Sequence, residues 1–118
     1  MNDQSAFPTR QKPAYTVSLD KGVEHFLKKL PPDEWARSLK AIEFLEALGP
    51  KLGEPHVGSL GKGLWELKFR FNKKWFRYIF VHGKNGHFII VNGFTKKTNQ
   101  TPESEKEIAR KRVREQTK

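Results

Sequence analysis

At Leu64 the spacing of apolar residues changes from the helical repeat to the strand repeat, and that switch sets the fold class. Before it, Val23, Phe26, Leu27 and Leu30 recur at i, i+3, i+4 and i+7, one stripe of a helix. Asp20 is placed to cap that helix. Pro31 and Pro32 end it and open the next. Trp35, Leu39, Ile42, Leu45 and Leu48, widened by Ala41 and Phe44, form a second stripe, which Gly49-Pro50 stops. After the switch, Trp65, Leu67, Phe69 and Phe71 point one way and Glu66, Lys68 and Arg70 the other, as in a half-buried strand. Asn72-Lys73-Lys74 reads as a turn, Trp75–His82 as the next strand, and Gly83-Lys84-Asn85-Gly86 as a second turn. The run Phe88–Phe94 is nearly all apolar, which fits a central strand covered on both faces.

The remaining segments complete an α+β fold. Residues 1–13 are polar, carry two prolines and lack periodicity, so they read as a flexible N-terminal tail. Residues 14–118 read as one domain, the expectation for a chain of 118 residues. Ala14–Leu19 suits a first strand, and Lys51–Gly63, with four glycines and a proline, reads as a loop. At the other end, Thr101 suits an N-cap, Pro102 the first helical position, and Glu103 and Glu105 the positive end of a helix. With only Ile108, Ala109 and Val113 as apolar residues, that helix is expected to dock weakly. The expectation is a helical hairpin on one face of a mainly antiparallel four-stranded sheet, in the order β-α-α-β-β-β, followed by a C-terminal helix.

Composition narrows the function. The chain has no cysteine, which excludes disulfides and thiolate metal sites. His25, His56, His82 and His87 show no metal-ligand spacing. No apolar run approaches the ~20 residues of a membrane span, so a soluble, cytoplasmic protein is expected. Lys and Arg number 23 against 13 Asp and Glu, a net +10. Residues 1–60 hold eight of each sign, so the whole excess lies in residues 61–118. A basic surface confined to one half of a chain calls for a polyanionic partner.

The hairpin places those charges. A turn centred on Lys73-Lys74 pairs residues whose numbers sum to 147, so Phe71 faces Phe76 and Phe69 faces Tyr78. The other face then sets Arg70 across from Arg77, with Lys68 one pair along. Like charges facing each other destabilise a sheet, unless an anion lies over them. Lys96 and Lys97 follow the last strand and can close one end of the same face. Cations so grouped can stabilise the phosphorane formed when an RNA 2′-hydroxyl attacks its own phosphate, and one lysine among them can serve as base. Glu66 leans to that face too, as a base or, more simply, as an ion pair with Lys68. No paired carboxylates, phosphate loop or nucleophile elbow is present.

The segments GLWELKFRF, WFRYIF and NGFTKKTNQTPESEKEIARKR resemble the RelE/ParE superfamily of bacterial toxins, in the branch of HigB-type and phage-related relatives. The resemblance runs from Tyr15 to Arg114. It implies an mRNA-cleaving endoribonuclease working on the ribosome without metal or cofactor, neutralised by an antitoxin, often of helix-turn-helix type. It implies catalytic roles for Lys68 as base, for Arg77 at the phosphorane, and for the pair Lys96 and Lys97. It places RNA contacts at Arg70, with Glu66 and the turn lysines Lys73 and Lys74 alongside. Glu66 stands where some relatives carry a second lysine. The same superfamily holds gyrase-inhibiting toxins, and a non-catalytic nucleic-acid-binding module would need only the charge; both remain open at this point.

Overall fold

In the computed structural model, which describes residues 14–53 and 56–116, five strands form one sheet. The expected tail at residues 1–13 lies outside the described residues. The strands are β1 (Thr16–Leu19), β2 (Val57–Gly61), β3 (Leu64–Phe71), β4 (Lys74–His82) and β5 (His87–Lys96). The helices are α1 (Lys21–Lys28), α2 (Pro32–Leu48) and α3 (Glu103–Gln116), with a 3₁₀ turn at Gly49–Leu52. Spatial order is β1-β5-β4-β3-β2, with β1 parallel to β5 and every other pair antiparallel. The architecture is the α+β one expected, with one strand more.

That extra strand is β2, inside the segment read as a loop. Val57, Gly58 and Ser59 pair with Leu67, Glu66 and Trp65. Two glycines in five residues hide it from propensity; pairing to β3, not intrinsic preference, makes it a strand.

The β3–β4 register also differs from expectation. Pairs sum to 145: Phe69 faces Phe76, Leu67 faces Tyr78, and Lys68, not Arg70, faces Arg77. The turn is the two-residue Asn72-Lys73, with φ of 54° and 62°. Two left-handed residues give the twist that suits a tight hairpin, and Lys74 becomes the first residue of β4. Because the shift is of two places, every side chain keeps its face.

One face carries the main core. Leu67, Phe69, Phe76, Tyr78, Phe80, Phe88 and Ile90 pack with Val23 and Leu27 of α1 and Ala41, Ile42 and Leu45 of α2. Asp20 caps α1 as expected, accepting from the Gly22 amide at 2.9 Å. On α2 the buried stripe is rotated from the apolar one. Glu34 and Ser38 are buried, while Trp35, Phe44 and Leu48 are 44%, 47% and 40% exposed. The rotation has a polar cause: Ser38 accepts the Tyr78 hydroxyl, and Glu34 takes Lys74 at 2.9 Å and Asn72 at 3.0 Å. Opposite Tyr78, Gly93 is needed, since a Cβ there would lie 2.9 Å from the Tyr78 ring and 3.1 Å from Phe26.

Part of the other face is covered by α3. Ala109 is fully buried among Leu64, Ile79, Val91 and Phe94. A bulge in β5, between the pairs Ile79–Asn92 and Phe80–Ile90, turns both Val91 and Asn92 toward this helix. Asn92 donates to the Glu105 carbonyl (3.0 Å) and carboxylate (2.9 Å), and Arg112 donates to the Val91 carbonyl at 2.9 Å. Arg112 also lies 3.6 Å from Asp20, and Gln116 donates to Asp20 at 3.1 Å. A helix poor in apolar residues is thus held by polar bonds that its periodicity does not announce. Among the described residues no helix is long and apolar enough to cross a membrane.

Candidate nucleic-acid interface

Beside the patch that α3 covers, the same face carries two rows across the central strands. One row is Lys68 (β3), Arg77 (β4) and Phe94 (β5); the next is Arg70, Trp75 and Lys96. Alternation along three strands brings these cations together, as their parity in the sequence requires.

Arg77 is the most enclosed of them, 1% exposed. Its Nη1 donates to Glu66 Oε1 at 2.7 Å and to the Thr101 hydroxyl at 3.0 Å, and its Nη2 donates to Asn99 Oδ1. Thr101 donates in turn to Glu66 at 2.7 Å. The Arg77 Nε has no hydrogen-bond partner among the described residues. A buried guanidinium needs such a set, because an unpaired charge away from water is costly. The set also pins the segment after β5 onto the sheet. Thr101, expected as the α3 cap, spends its hydroxyl here, and the Pro102 carbonyl accepts the Glu105 and Lys106 amides.

Lys68 stands at the boundary of this buried group, its side chain 15% exposed and its Nζ 3.9 Å from Glu66. The expected Glu66–Lys68 ion pair is therefore present but long, and Arg77 is the closer partner of Glu66. Arg70 and Lys96 are exposed in the next row, on either side of Trp75; Lys97, past the end of β5, is exposed too but among the described residues has no ladder pair that sets it on this face. Lys96 is the last residue of β5 rather than beyond it, and lies across from Trp75. The turn lysines separate from the site. Lys73 is at the hairpin tip, and Lys74 points to the helical face, bound to Glu34 and 5.4 Å from the Phe76 ring centroid. Among the described residues no group of acidic or histidine side chains is placed to hold a metal ion.

The sequence reading missed three residues. Asn99 and Thr101 are called in by chain reversal after β5, which no local signal shows. Trp75 was legible: its odd number places it with Arg77 on the cationic face. Its ring centroid is 5.8 Å from Lys68 Nζ and 5.7 Å from Arg77 Cζ.

Residues 25–114 match the family model described as "Phage derived protein Gp49-like". The chain belongs to that family. No curated protein matches its sequence. Among solved structures, the Gp49-like chain is similar to a chain of the archaeal RelE–RelB complex from Pyrococcus horikoshii OT3. The TM-score is 0.51 at 19% identity, covering 74% of this chain and 99% of that one. At that identity the likeness is one of fold, and it agrees with the RelE-like architecture expected from the segments around β3, β4 and β5.

Proposed function

We propose that this Gp49-like protein is the toxin of a toxin–antitoxin pair, an mRNA-cleaving endoribonuclease of the HigB-like branch that works on the ribosome. The observation that carries the reading is Lys68, set beside the buried Glu66–Arg77 pair on a sheet face whose exposed rim includes Arg70 and Lys96, with Lys97 following β5. Family membership and the RelE-like fold support it. In this reading the 2′-hydroxyl attacks the adjacent phosphorus and passes its proton to Lys68 in its amine form. The cations offset the growing phosphorane charge in a geometry already assembled. The bond to the 5′-oxygen then breaks, that oxygen takes a proton from water, and the Lys68 ammonium returns its proton to the hydroxide so formed. Arg77 reaches the phosphate by exchanging Asn99, the exposed member of its set. Neither metal nor cofactor enters. An antitoxin covering the same rim silences it, and a ribosomal target places the protein in the cytoplasm.

The test is brief expression in bacteria of wild type, Lys68→Ala and Lys96→Ala, with new mRNA 5′ ends mapped across the transcriptome. Codon-phased cuts that vanish in Lys68→Ala are expected. Growth arrest with intact mRNA would replace this reading with gyrase inhibition. Absence of both arrest and cuts would leave a nucleic-acid-binding module.

A further inference from the structure

Trp75 is out of place for a core residue. It belongs to neither apolar cluster, although every other aromatic of β3 and β4 packs in or against one. It is half-buried, outside the cluster that packs around Ala109 of α3. Its cross-strand neighbours are Arg70 on one side and Lys96 on the other, and Lys68 and Arg77 lie within 6 Å of its ring. Four cations around one indole make a surface that offers positive charge at its rim and a π face at its centre.

We propose that Trp75 is a stacking platform for an unpaired nucleobase of single-stranded RNA, with Arg70 and Lys96 holding the flanking phosphates. The inference rests on the nucleic-acid reading of this face but not on cleavage. A base stacks on an aromatic ring whatever its identity, whereas phosphates seek the cations; only a single-stranded polyanion supplies both at this spacing. Duplex RNA keeps its bases stacked inside and cannot use the ring. An acidic protein segment would satisfy the cations and leave the indole without a planar partner. Trp75 is then a positioning residue. It sets which nucleotide lies beside Lys68, on a rigid strand and not on a loop.

Anisotropy titrations of the full chain with labelled 2′-O-methyl oligouridine, which the 2′-hydroxyl reaction cannot cut, test this. The comparison ligand is an abasic oligomer of equal charge. Wild type is expected to prefer the base-bearing oligomer by about 5- to 100-fold, and Trp75→Ala to lose that preference. Trp75→Phe should keep part of it, which separates stacking from misfolding. Arg70→Ala or Lys96→Ala should instead lower the slope of log affinity against log salt by about 0.7. Equal discrimination by wild type and Trp75→Ala overturns the proposal, as does polyglutamate competing as well as the oligomer. If wild type discriminates but no mRNA is cut in cells, the platform stands and the nuclease reading falls. If cuts persist while Trp75→Ala binds like wild type, the reverse holds.

Discussion

The two faces of β3 and β4 are built from alternate residues of the same strands, yet they do opposite work. Toward α1 and α2, Phe69 stacks on Phe76 at 5.0 Å and Tyr78 meets Phe26 edge-on, so that face is closed by packing. On the other, Lys68, Arg70, Trp75 and Arg77 stand outside the apolar cluster around Ala109, and only Arg77 is fully enclosed. One face gains stability from apolar area removed from water. The other keeps desolvated charge in order with hydrogen bonds and leaves its rim open. Apolar packing and charge can therefore be altered separately, through residues one position apart.

The sharpest way to break this contrast is Phe76→Ala, fully buried at the centre of the closed face. It should cost about 3–5 kcal/mol in urea unfolding. Glu66→Ala should cost about 3–5 kcal/mol as well, by leaving Arg77 buried without its carboxylate. Adding Arg77→Met to that variant should recover part of the loss, whereas no second change on the same face should rescue Phe76→Ala. Ser38→Ala comes next: it strands the Tyr78 hydroxyl and should cost about 1–3 kcal/mol.

Tyr78 also gives a pH signature. Burial, with Glu34 nearby, holds its phenol well above the ordinary value of 10.0, against the opposing pull of the Ser38 hydrogen bond. The folded state keeps the neutral phenol while the unfolded chain ionises it. Its contribution is whole below pH 10.0 and is lost as pH rises beyond that toward the folded value. Tyrosinate absorbance of Tyr78, read as the difference from Tyr78→Phe, should appear together with loss of far-ultraviolet ellipticity. Smallest of all, Lys68→Ala should change stability by under about 1 kcal/mol, because its ion pair is long and Glu66 keeps Arg77 as its closer partner. A drop as large as that for Glu66→Ala would show that Lys68 is part of the buried Glu66–Arg77 network and not only its neighbour.

Much of this was legible in the residues. Periodicity placed α1, α2, β3, β4 and β5 and, by parity alone, put Lys68, Arg70 and Arg77 on one face; the two-place error in register left that face intact. Local signals failed where a contact distant in sequence decides the outcome. The α2 stripe rotated because Glu34 and Ser38 answer Lys74 and Tyr78 some 40 positions away. The strand β2 exists because β3 offers it an edge.

What the sequence determined by itself is the α+β class, the division of each strand into an apolar and a charged side, and the gathering of all excess charge in one half. These follow from side-chain period and composition, which are local properties. Tertiary structure alone decided how deeply each cation is enclosed. Arg77 and Lys68 look equivalent in a strand, but Asn99 and Thr101 bond the Arg77 guanidinium, while the Lys68 side chain keeps 15% exposure at 3.9 Å from Glu66. Burial depends on what the rest of the chain brings to a surface, and no residue carries that information alone.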